Sequence, residues 1–224
     1  PQLVAPSHGQ VVDEAKTAAP SRDAADLAKS AEREKWRASL REANQHVWLH
    51  GPHGSGDNLD ASLKRNSAFI KRLKQTNLAD AKDALVKEVQ LLSLTKYLDE
   101  LIPSIPEILW KATTLKDRYA AIEILCALHA RFGGSEFTEP LLKVMEQEIV
   151  PPPPKSQDAS NEQAQKEAAL VARQRSLLRG VTEMVLVGLV GPMTLSEGGC
   201  APGLNWLYEQ LRKMLSQDRD LVYT

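Results

Sequence analysis

The sequence predicts an all-α protein, and three observations carry that prediction. Every periodic apolar segment fits a repeat of 3.6 residues and none alternates with a period of two. Asn, Ser, Gly and Pro punctuate the segment ends and leave short connections between them. The one β-branched run, 184–190, has no second strand candidate of comparable length to pair with.

Residues 1–25, rich in Ala, Pro, Ser, Asp and Val without periodicity, read as a flexible N-terminal arm. Residues 26–50 read as a lead-in helix with Trp36, Leu40, Ala43 and Val47 on its apolar face. Glu32, Arg33, Glu34, Lys35, Arg37 and Arg41 would pair along its wet face. Gly51, Pro52, Gly54 and Gly56 end it in a glycine-rich loop, 51–58. A helix over 59–75 follows, with Leu59, Leu63, Asn66, Ile70 and Leu73 on one face.

Next comes a stripe of Leu78, Leu85, Val89 and Leu92, with Asn77 as its N-cap. Ser93 caps a third stripe of Leu94, Tyr97, Leu98 and Leu101. Pro103 and Pro106 interrupt it, and Ser104-Ile105-Pro106-Glu107 has the form of a capping box, which predicts a break and a new short helix. The segment 115–132 is apolar on two faces and should lie between layers, ended by Gly133 and Gly134. Leu141, Leu142, Met145 and Ile149 form the next stripe.

A Pro-rich linker, 151–160, opens with four prolines. A long helix over 161–191, a glycine-rich loop over 191–203, and a final helix carrying Leu204, Leu207, Tyr208, Leu211 and Leu215 complete the chain. Successive helices pair, which favours an α-solenoid of two-helix repeats over a closed bundle. No fixed-period repeat is visible, so periodicity alone leaves that choice open.

The 224 residues are 42% hydrophobic and 25% charged, with a net charge of -1. Such a balance gives no overall attraction to nucleic acid or membrane, so any binding of that kind must come from a local patch. The apolar run at 184–190 is far shorter than the ~20 residues that span a bilayer. No secretory signal is read at the N-terminus, and a cytoplasmic setting is expected. Cys126 lies inside an apolar helical pattern and is expected as a buried free thiol.

The candidate surface is the 59–75 helix. Lys64 and Lys71 form one column, Arg65 and Arg72 a second, and Lys74 follows, so five cations stand against the single anion Asp60. Asn66 interrupts the apolar stripe and needs a partner, expected to be a backbone carbonyl of another helix. His46, His50 and His53 lack a His-Glu-x-x-His arrangement and read as a helix end, with no metal. His129 faces a core stripe and reads as a hydrogen-bonded interior histidine. The Gly51–Gly56 loop lacks the Gly-Lys-Ser/Thr ending of a phosphate loop. Paired carboxylates, a nucleophile elbow and Cys-x-x-Cys are absent from the sequence, so neither catalysis nor a cofactor is expected.

The run Leu-Asp-Ala-Ser-Leu-Lys-Arg-Asn-Ser-Ala-Phe-Ile-Lys-Arg-Leu-Lys, 59–74, resembles the opening of the first middle domain in the Up-frameshift-two family of nonsense-mediated mRNA decay factors. That domain type is named for the middle segment of translation initiation factor four-G. Leu40-Arg41-Glu42-Ala43-Asn44 with Trp48 resembles the lead-in helix. Leu94-Thr95-Lys96-Tyr97-Leu98, the segment 121–132 and Leu207-Tyr208-Glu209-Gln210-Leu211 follow in family order, so the resemblance covers roughly 33–219.

It implies HEAT-like antiparallel helix pairs, with 59–219 the N-terminal part of a domain that continues for more pairs. It implies a non-catalytic scaffold in mRNA surveillance, with protein and RNA contacts. In the family, the RNA helicase Up-frameshift-one and the factor Up-frameshift-three are gripped by segments outside this chain. The alternative is an RNA-binding or helicase-activating middle domain of a translation initiation factor. Pro103 with Pro106, and the length of the 191–203 loop, depart from the family pattern.

Overall fold

The computed structural model describes residues 22–54, 58–75, 77–151, 160–192 and 201–217. Most of the N-terminal arm, the core of the Pro-rich linker and much of the 191–203 loop therefore lie outside the described residues. The chain divides into two compact units, Pro1–Lys35 and Trp36–Thr224. In the first, the described residues belong to helix α1 (Arg22–His50), which begins earlier than the expected residue 26. Leu27 is exposed there, and Lys29 pairs with Asp26 one turn away.

Among its described residues the second unit holds the rest of α1 and seven further helices: α2 (Leu63–Leu73), α3 (Leu78–Leu91), α4 (Leu98–Lys111), α5 (Leu115–Gly133), α6 (Glu139–Glu148), α7 (Asn161–Leu186) and α8 (Pro202–Gln217). A short 3-10 turn, Thr95–Tyr97, precedes α4, and a π turn, Gly134–Thr138, joins α5 to α6. Among the described residues there is no strand, only an isolated bridge between Asp60 and Leu92. Helix α3 packs against α2 and α5, α4 against α6 and α7, and α7 against α5 and α8.

Three stripes read from the sequence form the centre. Leu78, Leu85, Val89 and Leu92 are buried on and just after α3, as are Leu141, Met145 and Ile149 at α6. Helix α5 is buried on most of its circumference, as its two apolar faces require. Its start is capped by Thr114, whose hydroxyl accepts from the Asp117 N–H at 3.0 Å. It ends at Gly133, whose φ of +76° lies in the left-handed region.

Other expectations need correction. The 59–75 helix begins only at Leu63, because residues 58–62 run beside the end of α3: Asp60 N–H donates to Leu91 O and Ser93 N–H to Asp60 O. Ser93 thus follows the bridge residue Leu92, and the N-cap positions of the 3-10 turn and of α4 fall to Leu94 and Tyr97. On α2 the buried face is Asn66, Phe69, Ile70 and Leu73, while Leu63 is 68% exposed. Asn66 donates to Asp60 O and Ser62 O, carbonyls of the turn before its own helix, and not to another helix. Asn77 stands at the N-cap position of α3 without a side-chain cap bond. Asp117 of α5 accepts from the Ala79 N–H instead.

Pro103 and Pro106 do not break the chain; α4 runs through both. Each interior proline costs about 3 kcal/mol. Burial of Leu101, Ile102, Ile105, Ile108 and Leu109, at about 1.5–3 kcal/mol per side chain, outweighs that cost. Ser104 caps no new helix; its hydroxyl donates back to Leu101 O.

The long helix expected to reach residue 191 stops at Leu186, although Val187, Leu189 and Val190 are buried. Gly188, at φ +70°, supplies the left-handed residue. Its N–H bonds Val185 O and that of Leu189 bonds Met184 O, the paired closure of a Schellman motif. In α8 the buried apolar side chains are Leu207 and Met214, whereas Leu204, Tyr208 and Leu215 of the expected stripe are exposed.

The face of α1 is also rotated from the expected one. Ala43 is exposed and Asn44 is buried. Arg37 and Arg41 leave the wet face: Arg37 grips Glu183 of α7 through two bonds of 2.9 and 2.7 Å, and Arg41 donates to Leu186 O. Asn44 donates to Val187 O at 2.8 Å and Trp48 to Gly188 O at 3.0 Å. Three side chains of α1 therefore satisfy three successive carbonyls at the end of α7.

His129 is fully buried, as expected, with Nδ1 2.8 Å from Thr138 Oγ1 and the Trp48 ring 4.8 Å away. Burial pushes its pKa down to about 4 against a weaker opposing pull from backbone hydrogen bonds. Cys126, beside Asn44, is a buried free thiol, and burial pushes it up to about 12.

Two outcomes follow from this packing. Phe69→Ala should cost about 3–5 kcal/mol in urea unfolding, because the ring is fully buried. His129 stays neutral in the fold down to about pH 4, whereas in the unfolded chain it takes up a proton below about pH 6.5. Its contribution is therefore complete above pH 6.5 and is lost as pH falls towards 4. Unfolding free energy should drop by about 2 kcal/mol between about pH 7.5 and pH 5 from this residue alone. His129→Gln should show a shallower slope over that interval.

Candidate functional site

The basic residues of α2 stand on a short helix whose other face is locked into the core by Phe69, Ile70 and Leu73. The structure separates the two expected columns. Lys64 and Lys71 are exposed and, among the described residues, make no salt bridge. Seven residues apart, they lie about 10 Å from each other along the helix axis.

The arginine column is already engaged. Arg65 bonds the Asp60 carboxylate at 2.5 Å, and that carboxylate also accepts the Ser62 N–H at 2.8 Å. The Ser62 N–H, followed by Arg65, holds Asp60 below the usual carboxylate range. Arg72 pairs with Glu88 of α3 and reaches back to Ala68 O. Lys74 lies 3.7 Å from Glu100 of α4. Glu88 and Glu100 thus reduce the local charge that the segment alone suggests, and the exposed positive potential concentrates on Lys64 and Lys71.

The remaining candidates fall into place around α1 and α5. The His46 ring lies 4.5 Å from that of His50 and 5.5 Å from that of His53, at the end of α1. Among the described residues, no group of three or more His, Cys, Asp or Glu side chains is arranged to hold a metal ion. The start of the glycine-rich loop is pinned rather than loose: His53 N–H donates to Ala130 O. Pro52 lies so close to Gly133 that a Cβ there would sit 3.1 Å from the proline ring. No helix among the described residues is long and apolar enough to cross a membrane.

Sequence reasoning missed two sets of residues. One is the Arg41, Asn44 and Trp48 stripe, whose three-four spacing was the available signal. The other is a set of buried cations, Arg118 on Ala112 O and Arg131 on Val89 O, which no local pattern marks.

No family model matches the chain. Nonsense-mediated mRNA decay protein 2 of Saccharomyces cerevisiae is 39% identical over 132 residues, 58% of this chain and 12% of that protein. Regulator of nonsense transcripts 2 of Mus musculus is 31% identical over 192 residues, 84% of this chain and 13% of that protein. The chain therefore spans only a small part of these relatives. Among solved structures, the N-terminal mIF4G domain of S. cerevisiae Upf2, described as a protein involved in the degradation of mRNAs with premature stop codons, aligns with a TM-score of 0.62. The identity there is 29%, over 81% of this chain and 60% of that one. In sequence and in its HEAT-like helical fold, the chain is similar to the N-terminal mIF4G domain of the Upf2 nonsense-mediated decay factors.

Proposed function

We propose that the chain is a scaffold module of an mRNA-surveillance factor, acting by binding and not by catalysis. The observation that carries this reading is the agreement of sequence relatives and helical fold on one domain of one kind of decay factor. Residues 59–219 form the N-terminal part of its middle domain, with 26–50 as lead-in helix, 51–58 as connecting loop and 151–160 as linker. The caps that Arg41, Asn44 and Trp48 place on α7 support including the second half of the lead-in helix in the folded module. In the complete factor, the helicase Up-frameshift-one and Up-frameshift-three are bound through other segments, in the cytoplasm. The translation-initiation alternative shares the fold but gains no support from relatives that are decay factors.

The contribution of this segment is an acidic-partner surface on α2, composed of Lys64 and Lys71 with Arg65, Arg72 and Lys74 at its edges. Lys64→Glu with Lys71→Glu should change stability by less than about 0.5 kcal/mol each. Arg72→Glu should cost more, since it sets a carboxylate against Glu88. In pull-downs from the full-length protein, the double lysine reversal should weaken an acidic partner, and the difference should shrink above physiological salt. If every interaction survives the reversal, the face is only a solvated surface and the proposed site is wrong.

A further inference from the structure

The free arc of α2 carries more than charge. Leu63, Lys64, Ser67, Ala68 and Lys71 are all exposed and recur three and four residues apart, so they share one side of the helix. Leu63 stands one turn before Ser67 and is exposed despite its apolar side chain. Ser67 and Ala68 fill the middle with short side chains, so the backbone of a partner can come close there. Lys64 and Lys71 mark the two ends, exposed and outside every salt bridge among the described residues. The flanks are already engaged: Arg65 with Asp60 and Arg72 with Glu88 hold one edge, and Lys74 with Glu100 holds the other.

An arc with one apolar spot, a low middle and a cation at each end selects its guest by spacing. The two lysines lie about 10 Å apart along the helix axis. Carboxylates seven residues apart on an α-helix face the same way at about 10.5 Å, and two helix axes can approach to about 8–10 Å. An extended chain presents same-face carboxylates at about 7 or 13 Å, either side of that distance. RNA is a poorer match. Two free cations release few counterions, which gives a salt slope of only about -1.4 for a single strand. None of the five arc residues is aromatic, so a base has no ring to stack on.

We infer that this face of α2 docks an acidic amphipathic α-helix of a partner protein. Two carboxylates of that helix, seven residues apart, meet Lys64 and Lys71. The residues between them lie over Ser67 and Ala68, and an apolar side chain beside them covers Leu63. The inference rests on the acidic-partner reading of this face and adds to it the shape and register of the partner. Exposed ion pairs contribute little each, so the contact is weak and salt-sensitive, with Leu63 supplying the part that salt does not screen.

The test is fluorescence anisotropy of the complete chain with labelled peptides held helical by a staple on their far side, since short free helices are marginal in water. One peptide carries two glutamates seven residues apart and a leucine on the same face. A register isomer of identical composition sets the glutamates five apart, on different faces. The first should bind roughly 5-fold tighter, the effect of one well-placed exposed ion pair. Lys64→Ala and Lys71→Ala should each remove that preference, and the loss should shrink as salt rises. Leu63→Ala should weaken the first peptide by roughly 3-fold to 5-fold at every salt concentration. All three residues are exposed, so these variants keep the fold, which circular dichroism checks. An unstapled peptide with a central proline keeps the charges, loses the helix, and should bind no better than the register isomer. Equal affinity of the two registers, or undiminished binding of the proline peptide, overturns the inference. If that binding still falls in the Lys64→Glu, Lys71→Glu chain, the acidic-partner reading survives; binding that ignores both lysines removes it as well. Failure of every peptide to bind overturns the inference too. Tighter binding of a uridine heptamer, lost in the double reversal, assigns the face to RNA and also overturns it.

Discussion

The stack depends on one recurrent constraint: helix C-termini buried at junctions need donors, and side chains of other helices supply them. The last four carbonyls of an α-helix have no intrahelical partner and carry the negative end of its dipole. Arg131 of α5 donates to Val89 O near the end of α3. Arg118 of α5 donates to Ala112 O after α4, at 3.2 Å. Gln174 of α7 donates to Glu148 O, the last residue of α6, at 2.8 Å. Arg41, Asn44 and Trp48 of α1 do the same for α7. Each bond joins elements that their own apolar stripes would allow to slide.

The same constraint bears on two buried guanidiniums that form no salt bridge among the described residues, although Glu183 acts on Arg118 from a distance. Arg118 and Arg131 are 8% and 4% exposed, and burial lowers the pKa of both. Arginine nonetheless remains charged, because its unperturbed pKa lies so far above neutrality. What offsets its desolvation is the partial negative charge of a helix end, together with a charge-assisted bond to a carbonyl. Arg131 also lies over the Phe132 ring at 4.8 Å. An Arg→Lys change at either position would keep the charge and lose the fork that reaches round the helix end.

How legible this was depended on whether the deciding atoms were near in sequence. Stripes at α3, α5 and α6 were legible because apolar periodicity is a local property, and the resemblance supplied the solenoid that periodicity left open. Polar atoms misled the reading elsewhere. Asn66 stood as an anomaly in an apolar stripe and Asn44 was left off the apolar face of its helix, yet both are buried because carbonyls wait for them. Pro103 and Pro106 looked like a break because a proline is a local signal, while the burial that overrides it comes from α6 and α7. Gly188, set inside an apolar run, was the one visible sign that α7 stops early. At the candidate surface the five cations could be read directly, but Glu88 and Glu100, which engage two of them, belong to other helices.

That last point governs how the basic face should be probed. Lys74 is shared with α4: it pairs with Glu100 and also helps hold Glu107 below the usual carboxylate range, after the larger effect of Lys111. A change at Lys74 would therefore weaken an acidic partner on α2 and release Glu100 of α4 at once. Lys64 and Lys71 lie on the exposed side of α2, and their removal bears on the basic face alone. Glu148, the last residue of α6, is tied to Arg173 by its carboxylate and to Gln174 by its carbonyl. Neutralising its carboxylate leaves that backbone cap in place, so Glu148→Gln removes the ion pair while sparing the helix junction. Substitutions at Lys64 and Lys71 therefore test the basic face without disturbing its ion pairs to α3 and α4.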